Sequence, residues 1–423
     1  MLKAYICQTQ WATISYWIST KIATHQGMER TALVLTGGGA RAAYQAGVMR
    51  AISQLLHFEG SPFKIISGVS AGAFNGIWMA AQKGTFDDVT RSMWDAWGTL
   101  EMHQIFRTNP TTLLNIAAHW LRDLSLGGKF KHNNINYLLD TSPLRKFVES
   151  HIDFRMIQNN IASGQLHGIS VTTTHYDSSS SVIFYDGHPS ITPWSRGWRE
   201  ARRATLELDH VLASMAIPIF FPPVVLKDGS YGDGGIKLSS PLAPAIHMGA
   251  DRILVIGVHH QHCSKQQYSS PSHPISIGAI TGALMNSLFF HSIDDDIERL
   301  TRINRTLSLF NSDQMAREPD QLRNIPILAI RPSQDLGRMA TELLDRFPST
   351  IRYLLRGLGT SAVESWDLMS YLAFEKEYAL SLLNLGFKDA LAQQEQILKF
   401  FEEPDEVAAR KVRTLGLQPN PRL

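Results

Sequence analysis

Cysteine is almost absent: Cys7 and Cys263 are the two in 423 residues. That count excludes a disulfide-stapled scaffold and a cysteine-rich zinc fold. Net charge is nearly absent too, since 40 Lys and Arg against 38 Asp and Glu leave +2. A chain so balanced offers no global electrostatic case for nucleic acid as partner. No charge run, low-complexity tract or fixed-period repeat occurs, which argues against acidic or basic tails and solenoids. What is present is 44% hydrophobic and 18% charged residues. This is the balance of a folded globular protein, long enough for one large α/β domain or two domains.

Targeting and membrane runs are weak. In residues 1–27 an apolar stretch is interrupted by Gln8, Thr9 and Gln10, and no small-residue cleavage site is clear. This fits an N-terminal extension better than a secretory signal, with Met28 as an alternative natural start. Residues 275–293 (ISIGAITGALMNSLFFHSI) approach the length of a bilayer span, yet hold Ser276, Thr281, Asn286, Ser287 and His291 and run into Asp294, Asp295 and Asp296. They read as a buried helix rather than a span. The expected location is cytoplasmic, with contact to a membrane surface left open. Trp94, Trp97 and Trp120 join this stretch as apolar area that either fills the core or docks on lipid.

Along the chain, 31–36 (TALVLT) is a short apolar run ending at Gly37, Gly38 and Gly39, a buried strand entering a tight turn. A helical pattern covers 40–58. A second strand at 63–67 ends in Gly68-Val69-Ser70-Ala71-Gly72, and a helix follows over 73–82. Strand, glycine turn and helix, twice over, is the pattern of a parallel α/β sheet. A helix is expected over 87–100, a hairpin over 168–185 around 177–180, a helix over 209–216 stopped by Pro218, and a strand over 253–258. Residues 102–137 lack a clear period and read as a lid-like insertion. Beyond Cys263 the pattern is mostly helical (287–310, 335–358 and 363–401), apart from a strand-like run at 325–330 that could extend the main sheet. The organisation expected is an extension at 1–27, a catalytic domain at 31–260 and a largely helical region at 261–423.

Gly68-Val69-Ser70-Ala71-Gly72 matches G-x-S-x-G. A serine hydroxyl becomes a nucleophile when it is exposed, oriented and near a base. A sharp strand-to-helix turn lifts Ser70, and the flanking Gly68 and Gly72 permit the close approach. The helix behind it favours developing negative charge. The turn Gly37-Gly38-Gly39-Ala40-Arg41-Ala42 has two readings. Gly37, Gly39 and Ala42 fit a dinucleotide-binding turn. Three consecutive glycines at a helix start also suit an oxyanion hole. The next strand ends in Ser70 instead of the acid that a nucleotide site wants, which favours the hole. Arg41 would add a fixed positive charge nearby.

The base has two readings as well. A Ser–acid–His order would use His247, His259, His260, His262 or His291. Asp233, in Tyr231-Gly232-Asp233-Gly234-Gly235, is the other candidate, although an Asp among glycines is ordinarily a turn residue.

Taken together, these residues resemble the patatin-like phospholipase family. The matches run in order: Gly37-Gly38-Gly39-Ala40-Arg41, Gly68-Val69-Ser70-Ala71-Gly72, Ala213-Ser214-Met215-Ala216-Ile217-Pro218 with Phe221-Pro222-Pro223, and Asp233-Gly234-Gly235. They cover about 31–260. The resemblance implies a three-layer α/β/α sandwich with a mostly parallel sheet. It further implies a Ser–Asp dyad, here Ser70 and Asp233, and an oxyanion hole at Gly37, Gly38 and Gly39. Arg41, Gly68, Gly72, Gly234 and Gly235 would be supporting residues. Thr36 and Ala42 depart from the common pattern without removing an N–H donor. The expected activity is hydrolysis of a lipid acyl ester, of phospholipase A or lysophospholipase type. The expected partner is a lipid ester, with peripheral membrane contact left open, no nucleic acid and the oligomeric state unassigned. No cofactor is required, and no metal, since no His/Cys/Asp/Glu cluster at ligand spacing appears. A conventional Ser–His–Asp esterase and a non-catalytic lipid- or nucleotide-binding protein are the alternatives.

Overall fold

A computed structural model of the chain describes residues 30–56, 58, 60–125, 136–260, 277–289, 291–309, 322–341, 343, 346–357 and 366–402. The N-terminal extension, Met28, Cys7, His262 and Cys263 lie outside the described residues. Ten strands occur among the described residues: β1 (Thr31–Leu35), β2 (Ile65–Val69), β3 (Gly168–His175), β4 (Ser180–Gly187), β5 (Ser195–Arg196), β6 (Arg199–Arg203), β7 (Val224–Leu226), β8 (Gly229–Asp233), β9 (Arg252–Ile256) and β10 (Ile327–Ile330). They form one sheet in the order β10-β9-β1-β2-β3-β4-β6-β5, with β8 pairing both β3 and β7. From β10 to β3 every pairing is parallel. The β3–β4 hairpin is antiparallel.

The alternation of side chains sorts the strands into two cores. Leu33, Leu35, Leu254 and Ile256 face one, while Ala32, Val34, Ile253 and Val255 face the other. Strands buried on both faces read as continuous apolar runs, which is why β1 and β9 are visible in the sequence. Helices Ala43–Leu55, Ala71–Ala80, Phe86–Gly98 and Lys376–Ala392 contribute to the first core. Helices Ala243–His247 and His291–Leu307 contribute to the second. The architecture is therefore a three-layer α/β/α sandwich around a mostly parallel sheet.

Helix Lys376–Ala392 lies against helix Ala43–Leu55 almost backbone to backbone. A methyl group at Gly47 would stand 2.1 Å from the Leu383 carbonyl oxygen, and one at Gly386 2.2 Å from that of Tyr44. Glycine at both positions is what permits the approach. The contact is locked by Tyr44 Oη, which donates to Asp389 Oδ2 at 3.0 Å. Asp389 Oδ2 also accepts from the Ser333 N–H at 2.9 Å.

Two stretches differ from their sequence reading. Within 102–137, where no period is clear, helix Pro110–Ser125 forms with proline at its first position, a residue that suits a helix start. Residues 126–135 lie outside the described residues. Helix Ile277–Phe289 is half-buried rather than buried: Met285 points inward, while Ile280 is 51% and Leu284 58% exposed. One face rests on helix Trp366–Leu372, because Gly282 admits Asp367 and Leu368 to 3.3 Å from where its own Cβ would be. Among the described residues no helix is long and apolar enough to cross a membrane. Trp97 is core and Trp94 packs edge-on against Phe387 with ring centroids 6.1 Å apart. The Trp120 side chain lies outside what is described.

The glycine crossing yields a stability test. Gly47→Ala overfills the contact and should lower unfolding free energy by about 1–3 kcal/mol. Gly60→Ala, where a methyl group meets open space, should change it by less than about 0.5 kcal/mol. Denaturant unfolding of both variants checks the contrast.

Candidate active site

The site is built on one edge of β3. Strand β2 pairs in parallel with Gly168–Thr172, ending with Val69 opposite Thr172. Strand β8 pairs antiparallel with the next residues, with Asp233 opposite Thr173. Strand β4 occupies the whole opposite edge. Two strands therefore arrive from opposite directions and end against consecutive residues of β3. Ser70 and Asp233, at those two ends, are brought together although 163 positions separate 70 from 233.

Ser70 leaves β2 with φ 55° and ψ −134° and caps helix Ala71–Ala80. A non-glycine residue with positive φ is strained and is held by its surroundings. Its N–H donates to Ser214 Oγ at 2.9 Å, and the same hydroxyl donates to the Thr172 carbonyl at 2.6 Å. Ser214 thus ties the serine turn to β3. The two motif glycines are steric requirements. A methyl group at Gly68 would stand 2.5 Å from the Gly72 carbonyl oxygen, and one at Gly72 would stand 2.5 Å from those of both Leu35 and Thr36.

The Gly37–Gly39 turn leads into a short 3-10 helix, Gly39–Ala42. Gly39 has φ +56°, and a methyl group there would lie 2.3 Å from the Tyr371 carbonyl oxygen. Behind the turn runs a buried amide network. Gln45 Nε2 donates to the carbonyls of Thr36 and Ile256 at 2.9 and 3.1 Å. Gln45 Oε1 accepts from Asn75 Nδ2 at 2.9 Å, and Asn75 Oδ1 accepts from the Trp97 indole N–H at 2.9 Å. Satisfied buried networks of this kind rigidify the backbone they hold. Arg41, only 3% exposed, turns away into helix Trp366–Leu372.

Asp233 is fully buried and Ser70 is 1% exposed. The Asp233 N–H donates to the Ala216 carbonyl at 3.0 Å, which gives the 213–218 segment its structural role. Thr174 Oγ1 donates to the Asp233 carbonyl at 2.9 Å. In the side chain, Oδ1 accepts from the Gly235 N–H at 2.8 Å, while Oδ2 has no hydrogen-bond partner among the described residues. Gly234 must lack a side chain, since a methyl group would stand 2.1 Å from the Thr172 carbonyl oxygen. Burial pushes the Asp233 carboxyl up to about 7, although the Ser70 hydroxyl and the Gly235 N–H both favour its ionised form. The serine hydroxyl is thus near enough to act on the carboxyl, but no ordinary hydrogen bond closes between them. Such contacts are often loose before substrate binds.

The histidines have other surroundings. His260 Nδ1 lies 2.8 Å from the Pro332 carbonyl oxygen, and His247 stacks on Trp194 with centroids 4.8 Å apart. His259 is half-buried amid Arg41, Arg331, Asp294 and Asp335, with burial as the main cause of its lowered pKa. His262 and the side chain of His291 lie outside what is described. Among the described residues no group of three His, Cys, Asp or Glu is placed to hold a metal.

Several residues of this surround were not singled out by sequence. Asn75 offered one signal, a lone amide in an apolar helix. Ser214 stood in a segment noted only for its resemblance. Asp367 and Ser370 offered none.

The fold and turns are those of an α/β protein with a serine elbow. The model of the patatin-like phospholipase family matches residues 33–246, half of the chain, and the chain belongs to that family. Among solved structures it is similar to VipD from Legionella pneumophila, at 13% identity over 88% of this chain and 67% of that one, with a TM-score of 0.32. It is also similar to human GIVD cytosolic phospholipase A2 in complex with methyl gamma-linolenyl fluorophosphonate. There the identity is 15% over 92% of this chain and 60% of that one, with a TM-score of 0.40. No curated protein sequence matches it.

Ser214→Ala should leave the Ser70 N–H and a lone pair of the Thr172 carbonyl unsatisfied in a buried place. A loss of about 1–3 kcal/mol is expected, read by denaturant unfolding. Ser214→Thr, which keeps the hydroxyl, should lose less.

Proposed function

We propose that the protein hydrolyses the acyl ester of a phospholipid or lysophospholipid, with Ser70 as nucleophile, Asp233 as general base and the Gly37–Gly39 N–H groups as oxyanion hole. The observation that carries this reading is the meeting of β2 and β8 on β3, which sets one hydroxyl beside one buried carboxyl. Asp233 takes the Ser70 proton as Oγ attacks the ester carbonyl. The oxyanion is held by the glycine-turn N–H groups, and the departing alcohol takes the proton back from Asp233. Water then attacks the acyl-serine carbonyl and gives its proton to Asp233. Collapse of this second intermediate returns the proton to Ser70 and releases the fatty acid. A free carboxylate is a weak base at neutral pH, but one raised to about 7 is matched to the task. The supporting role of Arg41, Gly68, Gly72, Gly234 and Gly235 is to hold these groups in place.

The same reading assigns a peripheral lipid contact. The exposed Ile280 and Leu284 lie on helix Ile277–Phe289. That helix packs on both the turn Gly234–Lys237 and helix Trp366–Leu372, close to the buried serine. Under this reading an acyl chain leaves the aggregate beside this helix, and a half-buried helix with an apolar outer face suits an interface better than a span.

Hydrolysis should be measured on phospholipids, lysophospholipids, triacylglycerols and short p-nitrophenyl esters. Ser70→Ala should abolish turnover with the fold intact, and Asp233→Asn should reduce it by about 10²–10⁴-fold. Retention of a tenth of wild-type activity in Ser70→Ala would overturn the assignment. Collapse at His259→Ala or His260→Ala with unchanged melting would favour a triad instead.

The pH dependence has a definite sign. Turnover needs the carboxylate, so kcat/KM should rise as pH increases through about 7. Stability runs the other way. The folded pKa lies above the ordinary 3.8, so the folded state binds the extra proton between those values. That contribution is complete below the unfolded pKa and is lost as pH rises through about 7. Asp233→Asn should therefore be more stable than wild type above neutrality, with the advantage shrinking towards acid. Thermal melts across pH, set beside rate profiles, check both signs.

A further inference from the structure

We infer that Asp367 and Ser370 are positioning residues for the oxyanion turn and act on it through Arg41. This rests on the reading of Ser70 and the glycine turn given above. The helix Trp366–Leu372 grips that turn at two successive places. At Gly39 the contact is backbone to backbone, with the Tyr371 carbonyl where a side chain would otherwise be. At Arg41 it is a fork: Nε donates to Ser370 Oγ at 2.7 Å, and a terminal N–H donates to Asp367 Oδ1 at 2.8 Å. The guanidinium also lies 4.4 Å from the centroid of the Tyr371 ring. Ser370 is itself oriented, donating to the Asp367 carbonyl at 2.6 Å. The Arg41 N–H closes the 3-10 turn onto the Gly38 carbonyl at 3.1 Å. The side chain held by the helix therefore belongs to the residue that closes the turn.

Oxyanion donors work over a narrow range of distance, about 2.7–3.1 Å from the developing charge. A misplacement of about 1 Å can cost roughly 10²-fold. Three glycines in a row have no side chains of their own to fix them, so the turn needs an external anchor. The planar, two-sided hold on Arg41 supplies it, and a lysine could not reproduce that geometry. The anchor comes from residues 367–371, beyond the 33–246 matched by the family model. The segment that carries the serine thus depends on the C-terminal region for the shape of its oxyanion turn.

The test compares the full-length wild type with Asp367→Ala, Asp367→Asn and Ser370→Ala. The readouts are the second-order rate of Ser70 labelling by an alkyl fluorophosphonate, kcat and KM on a short p-nitrophenyl ester, and Tm. Asp367→Ala should slow labelling and lower kcat together, by about 10–100-fold, with KM within about twofold. Asp367→Asn keeps an acceptor at Oδ1 and should recover most of both rates. Ser370→Ala keeps the ion pair and should slow labelling by about 3–10-fold, which preserves the test if Asp367→Ala does not fold. Wild-type labelling rates in the folded variants, with only Tm lowered, would overturn the inference and leave a purely structural clamp. No labelling of the wild type would instead fault the Ser70 assignment itself.

Discussion

A fully buried carboxyl group is the constraint around which this structure is arranged. Asp233 has no exposed surface, one N–H bond from Gly235 and a neighbouring serine hydroxyl. Burying an ionised carboxylate so sparsely is costly, and the response is a pKa raised towards neutrality. The same poverty of partners leaves Oδ2 without a hydrogen-bond partner among the described residues, with the Ser70 hydroxyl near it. Any further polar donor on that oxygen would lower the basicity that the proposed mechanism asks of it. The phenols of Tyr176 and Tyr371 stand within electrostatic reach of this carboxyl. Burial raises the pKa of both phenols, so they remain neutral neighbours that add no competing charge.

What was legible in the sequence was what is decided locally. The glycines of the serine turn were legible because their requirement is backbone contact within a few residues or with an adjoining strand, whereas Gly39 answers to the distant Tyr371 carbonyl and was legible only as part of a run of three glycines. Gly68 meets Gly72, and Gly72 meets Leu35 and Thr36. The strands β1 and β9 were legible because burial on both faces leaves a continuous apolar run. The 168–185 hairpin was legible from its two β-rich runs around a turn. What was not legible depends on distant pairs. Gly47 and Gly386 look like poor helix residues until the two helices touch. Arg41 reads as a fixed positive charge beside the glycine turn until its partners arrive from more than 320 positions away and turn it into helix Trp366–Leu372. Helix Ile277–Phe289 shows the same limit in reverse. Its composition suggests full burial, yet the packing that would cover Ile280 and Leu284 is absent among the described residues.

These distant pairs also decide how access to Ser70 can arise. At 1% exposure the serine cannot meet an ester unless a neighbour yields. Helix Trp366–Leu372 is poorly suited to yield. Leu368, Met369, Tyr371 and Leu372 are all core, and the helix holds the Arg41 ion pair. Arg41 is the buried member of that pair and Asp367 is partly exposed, so shifting the helix would strip a buried guanidinium of its carboxylate. Helix Ile277–Phe289 is less buried, with Ile280 and Leu284 in solvent, although Met285 is core and Asn286 accepts from Tyr371 Oη at 3.0 Å. Under the proposed lipid contact, the helix whose outer face is apolar is the one a lipid surface would stabilise in a shifted position. The two helices over the site thus differ in their packing: the buried one is clasped to Gly39 and Arg41 of the glycine turn, and the half-exposed one presents an apolar face to solvent.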